Sequence, residues 1–151
     1  MNTTTSVCRI VTVERQLAAV IEANVGMDEL MKSQQTLRPK LAAAVRSLDV
    51  GPVGHTFTRW RFPANGRMDL HPGILVSKPF APVGDVMPSE LPAGRVAQYL
   101  YVGGYEGIPQ AWQTLFDWCN EQNLQLAGLN WEIYDEQSGP VPQTSMNALL
   151  V

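Results

Sequence analysis

With 151 residues, the chain has room for one ordinary domain or a fused pair of small units, and none for a separate large partner domain. Hydrophobic residues make up 45% of it and charged residues 17%, enough for a core and unlike a disordered chain. Its 11 Lys and Arg against 14 Asp and Glu leave a net charge of -3, without the basic excess that binding to a phosphate backbone draws on. Direct nucleic-acid binding is therefore not expected.

The opening MNTTTSVCRI lacks the basic-then-apolar layout of a secretory signal, and no run approaches the roughly 18 apolar residues of a membrane span. The expected compartment is the cytoplasm, with no membrane partner. In chain order, strand signals fall at Cys8 to Glu14 and Leu17 to Val25. Leu37, Leu41, Ala44, Val45 and Leu48 then keep helical spacing. Because Pro39 lies within that pattern, either the helix begins near Leu37 or a longer one starting at Asp28 is kinked there. Further strand signals occupy Val53 to Phe62, Gly73 to Lys78, Asp85 to Pro88 and Val96 to Val102, with Pro-rich punctuation over residues 79–92.

Ile108, Trp112, Leu115, Phe116 and Cys119 mark a second helix, Ile108 to Gln122, with Pro109 allowed in its first turn. Two more strands follow, Ala127 to Tyr134 and Thr144 to Leu149. Cys8 and Cys119 are the only cysteines, and neither has Cys-x-x-Cys or Cys-plus-His spacing, so they read as reduced core thiols. His55 and His71 have no third residue at metal-ligand spacing, and no Ser-His-Asp signature accompanies them. Neither a metal nor another cofactor is expected.

The chain repeats itself. LAAAVRSLDVGPVGHTFTRW (Leu41 to Trp60) aligns with LFDWCNEQNLQLAGLNWEIY (Leu115 to Tyr134), matching Gly54 to Gly128, Phe57 to Trp131 and Trp60 to Tyr134. Upstream, LAAVIEANVGMDEL resembles RVAQYLYVGGYEGI. Each half reads strand, helix, strand, strand. The expected fold is α+β, a single domain over residues 1–151 with repeats at about 7–78 and 84–150, antiparallel sheet, two helices on one face and a ligand groove on the other.

Charge divides unevenly along the chain. No Lys or Arg follows Arg95, whereas Glu106, Asp117, Glu121, Glu132, Asp135 and Glu136 all do. Alternation along the second-half strand sets Ala127, Leu129, Trp131 and Ile133 on one face, expected under the helix, and Gly128, Asn130, Glu132 and Tyr134 on the other. In the equivalent first-half strand, Trp60 and Phe62 share the face that the repeat matches to Glu132 and Tyr134. Tyr99 and Tyr101 point together from their strand, and Tyr105 follows the Gly103-Gly104 turn. Trp112 and Trp118 read as helix packing, with no functional role.

A carboxylate among aromatics is costly to bury, and a lipophilic cation compensates it twice, through the charge and through the ring faces. The stretch LPAGRVAQYLYVGGYEGIPQAWQTLFDWCNEQ followed by GLNWEIYDE resembles the gyrase-inhibitor-like (GyrI-like) small-molecule-binding family, whose fold is also the effector-binding domain of multidrug-sensing AraC/MerR-type transcription activators. Its most telling element is Trp131, Glu132, Ile133 and Tyr134, and the likeness runs from about Val7 to Leu149. Two departures stand out. Gly103, Gly104 and Tyr105 replace a Gly-Pro-Tyr turn, and no helix-turn-helix segment precedes the domain, which suggests a free-standing binder while leaving room for a separate regulatory partner chain.

The resemblance implies a protein that captures hydrophobic, cationic, aromatic compounds, with Glu132 at the base of the pocket and Trp60, Tyr134, Tyr99, Tyr101, Tyr105 and Phe62 as candidate ligand-binding residues. A second reading, a hydrolase of cyclopropane-bearing alkylating toxins, uses the same groove with Glu132 as its acid-base residue. A third, modulation of gyrase, follows the family name alone.

Overall fold

A computed structural model describes residues 7–135 and 139–151; Glu136, one of the acids counted above, lies outside them. The described residues form nine strands and two helices, an α+β fold: β1 (Cys8–Val13), β2 (Gln16–Ile21), β3 (Asn24–Gly26), α1 (Leu30–Arg46), β4 (Thr56–Arg61), β5 (Arg67–Leu75), β6 (Val86–Leu91), β7 (Gly94–Val102), α2 (Ile108–Glu121), β8 (Leu126–Asp135) and β9 (Gln143–Leu150). Among the described residues no helix is long and apolar enough to cross a membrane. The chain divides into two units, one of residues 14–93 and one of residues 1–13 with 94–151.

In the unit of residues 14–93, β2 pairs antiparallel with both β5 and β6, and β5 also pairs with β3 and β4. The helix α1 runs unbroken through Pro39, preceded by a 3-10 turn at Met27–Glu29, so the longer of the two expected helices forms. Proline removes the hydrogen bond to the Gln35 carbonyl, and both residues lie on the exposed side of the helix, where that carbonyl is open to solvent. The inner stripe of α1, Leu41 and Val45, joins Ala19, Ile21, Val50, Ile74, Val76 and Val86 in the core of this unit. Arg38 and Gln34 reach from α1 to the hydroxyl of Thr58 on β4.

The other unit carries the strands β1, β7, β9 and β8 in that order, all antiparallel. Its edge strand comes from the N-terminal segment, Cys8 facing Tyr99 across the β1–β7 ladder. The strand that opens the second sequence repeat, β6, belongs to the first unit instead. The two units therefore do not follow the repeat limits expected at 7–78 and 84–150. The helix α2 packs on β7 and buries Ala111, Trp112, Leu115 and Cys119, the face that helical spacing marks in the sequence.

Candidate functional site

The site grows from register in the unit of residues 1–13 and 94–151. Across β8 and β9, Asn130 faces Ala148, Glu132 faces Met146 and Tyr134 faces Thr144. Across β9 and β7, the same three positions face Ala97, Tyr99 and Tyr101. Directly opposed residues share a sheet face, so Glu132 lies in the middle row of three: Asn130 with two alanines before it, Tyr134 with Thr144 and Tyr101 after it. A bulge between Leu126 and Asn130 starts this regular stretch, and Gly128 within it adopts φ +96°, which a side chain would strain.

This face is the one α2 covers. The indole Nε1 of Trp112 donates to Glu132 Oε1 at 2.7 Å, and the Tyr134 hydroxyl donates to Glu132 Oε2 at 2.7 Å. The expectation that Glu132 and Tyr134 lie on the side away from the helices is thus corrected, together with the assignment of Ala127, Leu129, Trp131 and Ile133 to the face under the helix. Alternation sorts a strand into two faces but does not say which one a helix covers, and Trp131, only 2% exposed, made the wrong face look like the core. Glu132 is itself only 9% exposed, so the two charge-assisted hydrogen bonds, worth roughly 1.5–3 kcal/mol each, offset much of its carboxylate's lost hydration.

Trp112 is the functional residue that sequence reasoning missed. A signal for it existed: a buried indole N–H needs an acceptor and a buried carboxylate needs donors. Its ring also stacks on Phe116 one turn along α2, with centroids 5.3 Å apart. Of the predicted aromatics, Tyr105 meets Tyr134 edge-on at 6.0 Å and is 46% exposed, so it forms the outer edge of the site.

Tyr101 and Tyr99 share the Glu132 face, with different work for Tyr101. Its hydroxyl donates to Gly104 O at 2.7 Å, and its ring fills the turn before α2 so closely that a Cβ on Gly107 would lie 2.0 Å from the hydroxyl oxygen. Tyr101 therefore braces the turn that carries Tyr105. Trp60 and Phe62 are brought together in the other unit, edge to face at 5.6 Å, with Trp60 half-buried and Phe62 exposed.

Charge favours a cation at this carboxylate. The unit that holds Glu132 has two bases in its sequence, Arg9 and Arg95, against six acids, and Arg9 donates to Gln98 on the strand beside it. Burial pushes the Cys119 thiol up to about 11, and burial with the nearby Glu121 raises Cys8, so neither supplies a thiolate nucleophile at neutral pH. Among the described residues no three His, Cys, Asp or Glu gather as a metal site would require.

The family model for the GyrI-like small molecule binding domain matches residues 7–147, and the chain belongs to that family. No curated protein matches it. Among solved structures, the EcmrR C-terminal domain is 14% identical with a TM-score of 0.77, covering 98% of this chain and 99% of that one. Against the EcmrR chain solved in a complex with DNA, this chain spans 57% of the length. SAV2435, solved bound to tetraphenylphosphonium, is 8% identical with a TM-score of 0.68, over 95% of this chain and 93% of that one. A hydrolase encoded by lin2189 of Listeria innocua is 12% identical with a TM-score of 0.62, over 95% and 91%. At these identities the likeness is one of fold.

Proposed function

We propose that the protein captures hydrophobic, cationic, aromatic compounds at Glu132, for sequestration or for sensing through a partner chain. The observation that carries this reading is the buried carboxylate held by Trp112 and Tyr134, with the ring of Tyr105 at its edge. A lipophilic cation brings charge to the acid without the hydration shell of an inorganic ion, and aromatic faces add about 0.5–2 kcal/mol of cation–π attraction. The tetraphenylphosphonium held by SAV2435 is a ligand of this chemistry and supports the reading.

The hydrolase reading ranks second, supported by the Listeria innocua neighbour described as a hydrolase. In it Glu132 draws a proton from water attacking a strained ring. Both carboxylate oxygens accept side-chain hydrogen bonds, which fix the group in place and favour an anchoring role. The test is binding of 1-benzylpyridinium, a flat cation, against its uncharged isostere diphenylmethane, to the wild type and to Glu132→Gln. Selective loss of the cation supports capture; binding that ignores charge, with turnover of cyclopropane-bearing electrophiles, moves the hydrolase reading ahead.

A further inference from the structure

Two polar side chains in the Glu132 face, Asn130 and Thr144, are unexplained by charge recognition, and the carboxamide of Asn130 is the larger group, with both a donor and an acceptor unmet. Asn130 is 1% exposed, and neither its amide nitrogen nor its amide oxygen meets a hydrogen-bond partner among the described residues. Register sets it on the same side of the sheet as Glu132, about 7 Å along the strand. Its neighbours in the row, Ala148 and Ala97, are small and fully buried and offer no polar atom from their side chains. A buried carboxamide with both ends unmet is costly in any fold, and native interiors hold few. Such a group persists where it serves recognition, because function tolerates local instability that folding alone would remove.

We propose that Asn130 is a specificity-determining residue, whose amide pairs with a neutral donor–acceptor group of the ligand, such as a carboxamide or lactam, while the cationic part of the same ligand meets Glu132. A carboxamide is the natural complement, since its N–H and C=O match the C=O and N–H of the asparagine in two parallel hydrogen bonds. Ala148 and Ala97, in the same row, offer no side-chain polar atom that would compete for the asparagine amide. The selectivity this gives is of the kind that sites built around a buried polar group achieve, since a ligand without the matching group leaves the asparagine unmet. This inference rests on the cation-capture reading of Glu132 and deepens it.

The test compares 1-benzylpyridinium with 1-benzyl-3-carbamoylpyridinium, which differ by one carboxamide, by calorimetry on the wild type, Asn130→Leu, Asn130→Ala and Glu132→Gln. The wild type is expected to prefer the carbamoyl compound by about tenfold, and both Asn130 variants to lose that preference. Asn130→Leu, which replaces an unmet polar group with an apolar one of similar size, is expected to raise the Tm of the ligand-free protein.

No preference in the wild type, or a preference kept by whichever Asn130 variant folds, overturns the proposal. So does a lowered Tm in Asn130→Leu with equal loss of both compounds, which marks a structural role. Glu132→Gln separates the two ideas: its failure to weaken either pyridinium defeats the cation reading even where the carbamoyl preference stands. A wild type that binds neither compound overturns both.

Discussion

Trp112 and Glu132 join helix to sheet through one hydrogen bond, indole Nε1 to carboxylate Oε1 at 2.7 Å, buried between α2 and β8. The bond ties α2 to the sheet, and under the proposed function it also fixes the oxygen that a ligand would meet. Replacing Trp112 by Phe keeps a ring next to Phe116 and removes the donor. The expected cost is about 1–3 kcal/mol, the desolvation penalty of an acceptor that loses a partner. At roughly 2–4 °C per kcal/mol for a chain of this size, thermal unfolding reads it directly. A Tm within a degree of the wild type would show that the bond contributes nothing.

Tyr105 tests the edge of the site. Being nearly half exposed, it contributes little to the core, so Tyr105→Ala is expected to leave Tm nearly unchanged. It removes the ring that meets Tyr134, and affinity for both 1-benzylpyridinium and diphenylmethane should fall, by about three- to tenfold, the cation somewhat more because it also loses a cation–π contact. Loss of only one of the two, in titrations at equal temperature, would contradict a purely aromatic role.

The turn before α2 is set by Tyr101. Gly107→Ala places a methyl group 2.0 Å from the Tyr101 hydroxyl and is expected to destabilise by roughly 1–3 kcal/mol. Combining it with Tyr101→Phe should recover part of that loss, since the clashing oxygen is gone. Additive losses in a double-mutant cycle from denaturant unfolding would mean the two positions do not meet.

A pH dependence follows from His71 in the other unit. Burial first, then the neighbouring Arg59, hold the imidazole below its ordinary 6.5, and Arg59 Nη2 donates to His71 Nδ1 at 3.1 Å. The folded protein resists protonating this histidine and the unfolded chain does not, so the unfolded state binds more protons below pH 6.5. Stability is therefore full above that pH and falls as pH drops toward the folded-state pKa. Thermal unfolding between pH 8 and pH 5 should show a shallower decline in His71→Gln than in the wild type. Identical slopes would assign the acid sensitivity elsewhere.

How much of this was legible in the sequence depends on what each signal encodes. The second helix was expected over Ile108 to Gln122 and forms over Ile108–Glu121, because five apolar positions at helical spacing define a stripe that only a helix buries on one side. Glu132 and Tyr134 were legible as sharing a face, since the period of a strand is two. Which face the helix would cover was not, because both faces of β8 carry large aromatics and strand alternation is blind to the third dimension. The placement of β1 beside β7 was also hidden. Pairing between positions 81 or more apart in the chain leaves no local mark, and the repeat itself suggested that Cys8 to Val13 would stay with its own half. Asn130 was legible as sharing the face of Glu132 and Tyr134, but not as a candidate site residue, because an isolated asparagine in a strand looks like an exposed one until its burial is known.

The claim that Glu132 reads charge is tested most directly by calorimetric titration of wild type and Glu132→Gln with 1-benzylpyridinium and diphenylmethane at the same pH and salt. Diphenylmethane reports whether the aromatic surface survives the substitution, and the difference between the two compounds reports charge alone. The expected result is a loss of about ten- to a hundredfold for the cation and little change for the neutral compound, as removal of a charged partner implies. Equal changes for both compounds would contradict it.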